Sequence, residues 1–452
     1  MLAAMSASPL PPRSPDGAQP PSSGDACPGA LRLHRADDGA LARIRIPGGV
    51  LTSRQATALG DAAGRLGDGE LHLTSRGNVQ LRGLDPGSGP ELAGVLDRAG
   101  LLPSARHERV RNVVASPLSG LDGRGTMDVA PWLDEVDRLL CGSDRTTALS
   151  GRFLLALDDG RGDVDALGAD LTLIGHHTGA LLRVGDGDAV LRLPASEGPR
   201  AALTAAEAFL DTADATPRPD ETGERRSDGE TRPARDGFWR VRDLPGDAVD
   251  ALHAEVVRRL RGAGVPFAAV SRPRPSGAGA PAHGPVTGNG GAASLSVGVP
   301  LGRLSRDQWE RLSAAGPLRL TPWRGVVVTG LGAGRLRSLP GELAAAGLIT
   351  GPGSPWSGVG ACIGRPGCAK SLADVRAQAA AATGPVGRLP VYWSGCERRC
   401  GRPSGEWIDV VAVPGGHRIS HVRGDTTGRP VTVGDDPAAL AAAVAAARDT
   451  RT

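Results

Sequence analysis

An α+β fold built as a pseudo-two-fold duplication is predicted by three features of this 452-residue chain. Residues 41–84 carry a self-contained β-α-β pattern. Two later stretches repeat parts of that pattern without a gap. The segments that follow the two copies differ, one made of short strand-like runs and the other carrying two cysteine pairs. Two similar halves, each extended by its own layer, imply a core with a shared cleft between them.

The first copy opens with Leu41-Ala-Arg-Ile-Arg-Ile46, which alternates apolar and polar residues as a strand does. Pro47-Gly48-Gly49 makes a turn, and Thr52 or Ser53 can cap a helix from about Arg54 to Leu66. Gly67-Asp-Gly69 stops it. Leu71 to Arg76 and Val79 to Arg82 then form strands broken at Gly77-Asn78. The second copy is carried by Val299-Pro300-Leu-Gly302-Arg-Leu304-Ser305-Arg306-Asp-Gln308, which aligns with Ile46 to Gln55, and by Leu318 to Leu331, which echoes Leu71 to Leu84. In that alignment Gly298 replaces Arg45, Trp323 replaces Arg76, and Arg324 falls at Gly77. A one-residue shift in a strand reverses side-chain direction, so Arg324 is expected on the opposite face or at a bulge.

Between the copies, residues 152–157, 169–174, 180–184 and 189–193 read as strands, and 203–210 as a helix. Residues 212–236 are charged and Pro-containing, as a flexible linker is. Residues 271–293 are Gly/Pro/Ala-rich and are expected to form a flexible insertion. The Pro/Ser/Ala-rich residues 1–26 have no basic start followed by a continuous apolar core, so a disordered tail is expected in place of a signal peptide. No apolar run approaches the ~18 residues that span a bilayer. A cytoplasmic protein follows as the expectation, with no membrane partner. The net charge of +3 is too small to argue for nucleic acid. Lys370 is the only lysine among 52 basic residues, so nearly every cation is a planar guanidinium suited to gripping carboxylates.

Four of the six cysteines lie in Cys362-Ile-Gly-Arg-Pro-Gly-Cys368 and Cys396-Glu-Arg-Arg-Cys400. Four thiolates converging from two Gly-flanked loops suit a tetrahedral zinc or a four-iron, four-sulfur cluster. The gaps of five and three residues differ from the two- to four-residue gaps usual within zinc pairs, while a lone cysteine is more often a small buried hydrophobe. Cys141, at the end of a helix-like stretch, fits that last description. Arg45, Arg76 and Arg111 each end or follow a strand of the first copy, and on one face they would form a pocket for a polycarboxylate. Taken singly, each is more often a solvated surface charge.

These residues together resemble the sulfite/nitrite reductase family, and most of all its precorrin-3B synthase branch. The likeness rests on Arg45-Ile-Pro-Gly-Gly49-Val, Leu73-Thr-Ser-Arg76-Gly-Asn78-Val-Gln-Leu-Arg-Gly83, Arg111-Asn-Val113, the Cys-x5-Cys with Cys-x3-Cys, and Cys27-Pro-Gly before the first strand. It implies ferredoxin-like half domains at 27–115 and 237–335 and reductase-type α/β domains at 116–211 and 336–452. A 4Fe-4S cluster is implied on Cys362, Cys368, Cys396 and Cys400. Substrate-binding roles are implied for Arg45, Arg76, Asn78, Arg111 and Arg152, with no catalytic residue assigned. The reductases bind sirohaem and grip an anionic substrate with a basic pair on the strand of Arg152, where this chain has Leu154 in place of one cation. An apolar residue there cannot stabilise a bound oxyanion. The synthase branch implies precorrin-3A and dioxygen as substrates, an NADH-linked electron donor, and a non-haem iron for which the sequence shows no ligands. His176-His177 is a weak candidate, because adjacent strand residues face opposite ways.

Overall fold

The computed structural model describes residues 28–217, 237–275, 279–288, 293–384, 386–403, 405–424 and 426–449. Cys27 and the tail before it lie outside the described residues, as do 218–236 of the expected linker.

The first half begins with the hairpin β1 (His34–Ala36) and β2 (Gly39–Ile44), followed by β3 (Val50–Leu51), helix α1 (Ser53–Leu66), β4 (Leu71–Leu73), β5 (Val79–Leu84) and α2 (Gly89–Arg98). Thr52 starts α1 with a reciprocal cap. Its Oγ1 accepts from Gln55 N at 3.2 Å, and Gln55 Oε1 accepts from Thr52 N at 3.0 Å. The chain then enters a six-stranded sheet through β6 (Val113–Ala115), α3 (Ala130–Gly142), β7 (Leu155–Asp158), β8 (Leu171–His176), β9 (Gly179–Val184) and β10 (Ala189–Leu193), and leaves it through α4 (Gly198–Ala215).

Residues 237–271 belong to this same layer. Helix α5 (Gly246–Gly262) presents Ala248, Leu252, Val256 and Leu260 at helical spacing, and they bury with Phe209 of α4 in one core. Strand β11 (Ala268–Ser271) pairs with β10, Ala189 opposite Ser271. The sequence boundary that opened the second half domain at residue 237 is therefore corrected to a point after residue 271. Two further boundaries shift. Residues 212–215 of the expected linker are the last turn of α4. Residues 284–287 of the expected insertion form β12 (Gly284–Thr287), whose Gly284 and Val286 alternate inward against β13 (Ala293–Gly298). Composition registered the glycine and proline there and missed the alternation.

The second copy continues with β14 (Arg303–Leu304), α6 (Arg306–Ala315), β15 (Leu318–Leu320), β16 (Gly325–Leu331) and α7 (Ala333–Ala345). Ser305 and Gln308 reproduce the Thr52–Gln55 cap, at 3.3 and 2.9 Å. The two five-stranded sheets exchange their short strands: one runs β1-β2-β5-β4-β14 and the other β12-β13-β16-β15-β3. Leu304 pairs with Leu71, and Leu51 with Leu318. A single hydrophobic core consequently spans both halves, with Trp309 of α6 fully buried against α1 and donating from Nε1 to Ala56 O at 2.7 Å. Even the left-handed turns are duplicated. Gly48 (φ 60°), Gly49 (70°) and Gly77 (64°) are matched by Leu301 (54°), Gly302 (67°) and Arg324 (58°). Arg324 thus occupies the turn position itself, and its shift is absorbed there and not by a bulge in the strand.

The last layer holds β17 (Val359–Ala361), α8 (Val375–Ala381), β18 (Val391–Ser394), β19 (Glu406–Val413), β20 (Gly416–Arg423), β21 (Thr426–Thr427), β22 (Val431–Val433) and α9 (Pro437–Arg448). Its sheet runs β17-β18-β19-β20-β21, with β22 also on β20. Trp393 is buried in its core, edge-on to His417. Among the described residues, no helix is long and apolar enough to cross a membrane.

Candidate functional site

β17 and β18 are parallel neighbours, with Ala361 opposite Trp393. The loops that follow them leave the same end of the sheet, and these loops carry the four cysteines. Cys362 N donates to Trp393 O at 2.9 Å, and Gly395 N donates to Cys362 Sγ at 3.2 Å, which stitches the two loops together at the sulfur itself. Leu372 N donates to Gly395 O at 2.8 Å. A Cβ on Gly395 would lie 1.8 Å from Ser371 Oγ, and that hydroxyl is held by Ala373 O at 2.7 Å, so the crossing requires glycine. Tyr392 donates from its hydroxyl to Cys400 O at 2.6 Å. Cys362, Cys368 and Cys396 are half-buried and Cys400 is exposed. Burial first, then the Cys400 and Cys396 thiols, pushes the Cys362 thiol above its ordinary range. Binding of a metal or cluster here would therefore be coupled to proton release. The donor set of four thiols, backed by a backbone N–H aimed at one sulfur, fits an iron–sulfur cluster.

The cysteine layer docks on the first half. Arg82 pairs with Asp38 through Nε and Nη2 at 2.8 and 2.7 Å, and its Nη2 also donates to Gly367 O at 2.9 Å, beside Cys368.

Of the five expected substrate-binding residues, Arg76, Asn78 and Arg152 line one cavity of about 340 Å³, together with Arg43, Thr74 and Ser75. Arg76 donates from Nη1 to Gly151 O at 3.3 Å, and the Arg152 guanidinium stacks 4.0 Å from the centre of the Trp239 ring. Asn78 is fully buried. Its Oδ1 accepts from Ile46 N at 2.9 Å and its Nδ2 donates to Asn112 Oδ1 at 3.1 Å, so it braces the cavity wall. Arg45 and Arg111 do not line this cavity, although Arg45 meets Arg76 at the Gly151 carbonyl. Arg45 is buried and donates to the carbonyls of Arg109 (3.1 Å) and Gly151 (3.3 Å). Arg111 forms a two-pronged pair with Asp137. Arg43, which lies opposite Gln80 on the neighbouring strand β5, was missed.

Leu154 is buried in a small apolar cluster with Val114, Ala156 and Val164, and Trp323 packs against that cluster. The next residue, Arg324, reaches the cysteine loop, its Nη2 lying 3.2 Å from where a Cβ on Gly401 would be. Trp323, at the position that aligns with Arg76, thus links the apolar strand of Leu154 to the cysteine loop. Half-buried His176 ends β8 and exposed His177 follows it in the β8–β9 turn, with His176 Nδ1 3.0 Å from Thr178 Oγ1. Cys141 is half-buried at the end of α3, and burial raises its thiol pKa. A second group that the sequence reading missed, Asp68, Glu70 and His72, lines a cavity of about 630 Å³ between the first half and the cysteine layer. Its signal was the close Asp-x-Glu-x-His spacing across the turn at Gly69 that leads into β4.

The comparisons agree with this architecture. The family described as nitrite/sulfite reductase ferredoxin-like half domain matches residues 33–99. A ferredoxin–nitrite reductase from Synechococcus elongatus is 35% identical over 127 residues, 27% of this chain and 25% of that protein, so the match spans about a quarter of its length. Precorrin-3B synthase from a Sinorhizobium species is 27% identical over 429 residues, 91% of this chain and 85% of the relative. The solved structure of the Mycobacterium tuberculosis NirA protein superposes with a TM-score of 0.68 at 20% identity, over 87% of this chain and 78% of that one. With two strand-swapped half domains, a cysteine-bearing layer and likeness along almost its whole length, the chain has the fold of the nitrite/sulfite reductases and carries their ferredoxin-like half domain at residues 33–99.

Proposed function

We propose that the protein is an oxidoreductase of the precorrin-3B synthase type, which hydroxylates C20 of precorrin-3A with dioxygen and forms a γ-lactone, a step of aerobic cobalamin biosynthesis. The observation that carries this reading is Leu154, which is 5% exposed and packed among apolar neighbours where the family's reductases place a cation. A site without that cation is poorly suited to holding sulfite or nitrite. The 91% coverage by a precorrin-3B synthase supports the same reading.

Under this reading Arg43, Arg76 and Arg152 grip the propionate and acetate groups of the macrocycle, and Asn78 keeps Arg76's turn in register. Charge-assisted bonds from planar guanidinium groups fix orientation as well as affinity. Cys362, Cys368, Cys396 and Cys400 would hold a 4Fe-4S cluster, which when bound supplies electrons one at a time. In the overall reaction one oxygen atom enters the product, while two electrons from an external reductant and two protons reduce the other to water. The Leu154–Trp323 cluster keeps water from one wall of the site. A non-haem iron and an NADH-linked donor belong to the same proposal, as does a cytoplasmic location.

The test is aerobic incubation of cluster-loaded protein with precorrin-3A, reductant and isotopically labelled dioxygen. One labelled oxygen in a hydroxylated product is expected. A sirohaem Soret band in the purified protein, with sulfite or nitrite turnover, would overturn the assignment.

A further inference from the structure

We propose that Asp68, Glu70 and His72 form a binding site for a divalent first-row metal ion, separate from the cysteine loops, at the floor of the cavity between the first half and the cysteine layer. The inference stands on geometry and is independent of the reaction proposed above. His72 lies on β4, and Asp68 and Glu70 lie in the turn that leads into it, where left-handed Gly69 (φ 84°) brings their carboxylates round to the imidazole. One ligand atom from each lies within 4.8 Å of the others. His72 Nε2 is 3.7 Å from Glu70 Oε2 and 4.0 Å from Asp68 Oδ2, too far for hydrogen bonds. Those gaps are close to the separation of two donors that each sit about 2.0–2.2 Å from a shared ion.

The second, independent observation is Nε2 itself. The His72 side chain is 9% exposed, and this nitrogen is buried with no hydrogen-bond partner. A buried polar atom without a partner costs free energy, and a metal ion in the gap would satisfy it. One imidazole with two carboxylates suits Mn²⁺, Fe²⁺ or Zn²⁺ better than the thiophilic Cu⁺.

Two arginines oppose loading. Arg303 pairs with both oxygens of Glu70. Arg376 Nη1 lies 3.1 Å from His72 Nδ1, and because a guanidinium only donates, Nδ1 accepts and the ring proton sits on Nε2. Loading moves that proton from Nε2 to Nδ1, frees the Nε2 lone pair for the metal and breaks the Arg376 contact. Arg376 also donates from Nε to Cys362 O at 3.2 Å, so metal uptake would be felt at the cysteine loop.

The test is titration of cluster-loaded protein with Mn²⁺, an ion with little affinity for thiolates, reading free Mn²⁺ from its six-line paramagnetic resonance spectrum. One tight site per chain is expected. Its affinity should fall at least ten-fold in His72→Ala and in the milder Asp68→Asn, with the cluster absorption unchanged as evidence of folding. Arg376→Met should bind Mn²⁺ more tightly, because it releases Nδ1 and removes a positive charge. Asp163→Asn, in a separate buried acidic group, should leave binding as it was. Equal Mn²⁺ affinity in wild type, His72→Ala and Asp68→Asn overturns the proposal, as does loss of the tight site on Asp163→Asn alone.

Discussion

Arg111 and Asp137 meet in a two-pronged ion pair, Nε to Oδ1 and Nη2 to Oδ2, both at 2.7 Å. The Arg111 side chain is 7% exposed, and its Nη1 also donates to Leu101 O at 3.1 Å. The pair ties the segment before β6 to α3 and to the end of the first half. Removing Arg111 leaves the half-buried Asp137 carboxylate, 22% exposed, without its counter-charge. Arg111→Ala is therefore expected to destabilise the fold by about 1–3 kcal/mol, read as a fall in the thermal midpoint. Asp137→Asn should behave in the same direction. The protein that remains folded should bind a polycarboxylate tetrapyrrole as the wild type does.

Arg76→Ala should show the opposite split. Arg76 is half-buried at the cavity wall beside Arg43 and Arg152. A charge-assisted hydrogen bond contributes about 1.5–3 kcal/mol. Affinity for a polycarboxylate tetrapyrrole such as uroporphyrin, followed by quenching of its fluorescence, should drop roughly ten- to hundred-fold. The thermal midpoint should stay within about 2 °C. A fall in midpoint as large as that of Arg111→Ala would make Arg76 a structural residue too.

Those two arginines mark where the sequence was legible and where it was not. The duplication was readable because caps, turns and strand alternation are local: Thr52 with Gln55 and Ser305 with Gln308 are each separated by three residues. The exchange of β3 and β14 was not readable, because a two-residue strand has no period and its partner lies some 250 residues away in the other copy. The partner of α5 was equally hidden, since an apolar stripe says that a face is buried and not against what. Spacing singled out the cysteines, because two loops at the end of neighbouring parallel strands need only local sequence. A strand-end arginine in the sequence looks the same whether it lines a cavity, as Arg76 does, or pairs with an aspartate of a neighbouring helix, as Arg111 does. Asp68, Glu70 and His72 were overlooked because Gly67-Asp-Gly69 reads as a helix stop, and the turn that gathers the three side chains is not a periodic element.

At the cysteine loops, Cys396→Ser should remove the broad iron–sulfur absorption and lower iron and sulfide content below the wild-type value. Gly395→Ala is the more discriminating variant. It keeps every thiol but drives a methyl into Ser371 Oγ, which is pinned by Ala373 O. The Gly395 N–H would be displaced from Cys362 Sγ. Iron retention after anaerobic gel filtration should fall several-fold in Gly395→Ala and recover in the double variant Gly395→Ala/Ser371→Gly, where the clash is removed. Full iron in the single variant would show that the crossing of the two loops does not shape the centre.

The buried acidic group at the end of β7 gives a pH-dependent prediction. Asp163 accepts from Ser116 Oγ at 2.6 Å, yet burial first, and the neighbouring Asp158 carboxylate second, push its pKa up to about 7. Asp158 is also raised, by burial, although it accepts from four backbone N–H groups. For a carboxyl whose folded pKa lies above its unfolded value, the folded state holds the extra proton between the two. Asp163 costs nothing below about pH 4, where both states are protonated. The cost grows as pH rises from about 4 to about 7 and is complete above that. Asp163→Asn keeps an oxygen to accept from Ser116 and removes the ionisation. Its thermal midpoint should exceed that of the wild type at pH 8, with a gain on the order of 1–2 kcal/mol. The gain should shrink through pH 6 and vanish near pH 4. Thermal unfolding followed by circular dichroism across that range checks it. A gain that is constant with pH would mean that the carboxylate is ionised at no cost, and a loss at pH 8 would mean that its charge is held by a partner the substitution removes.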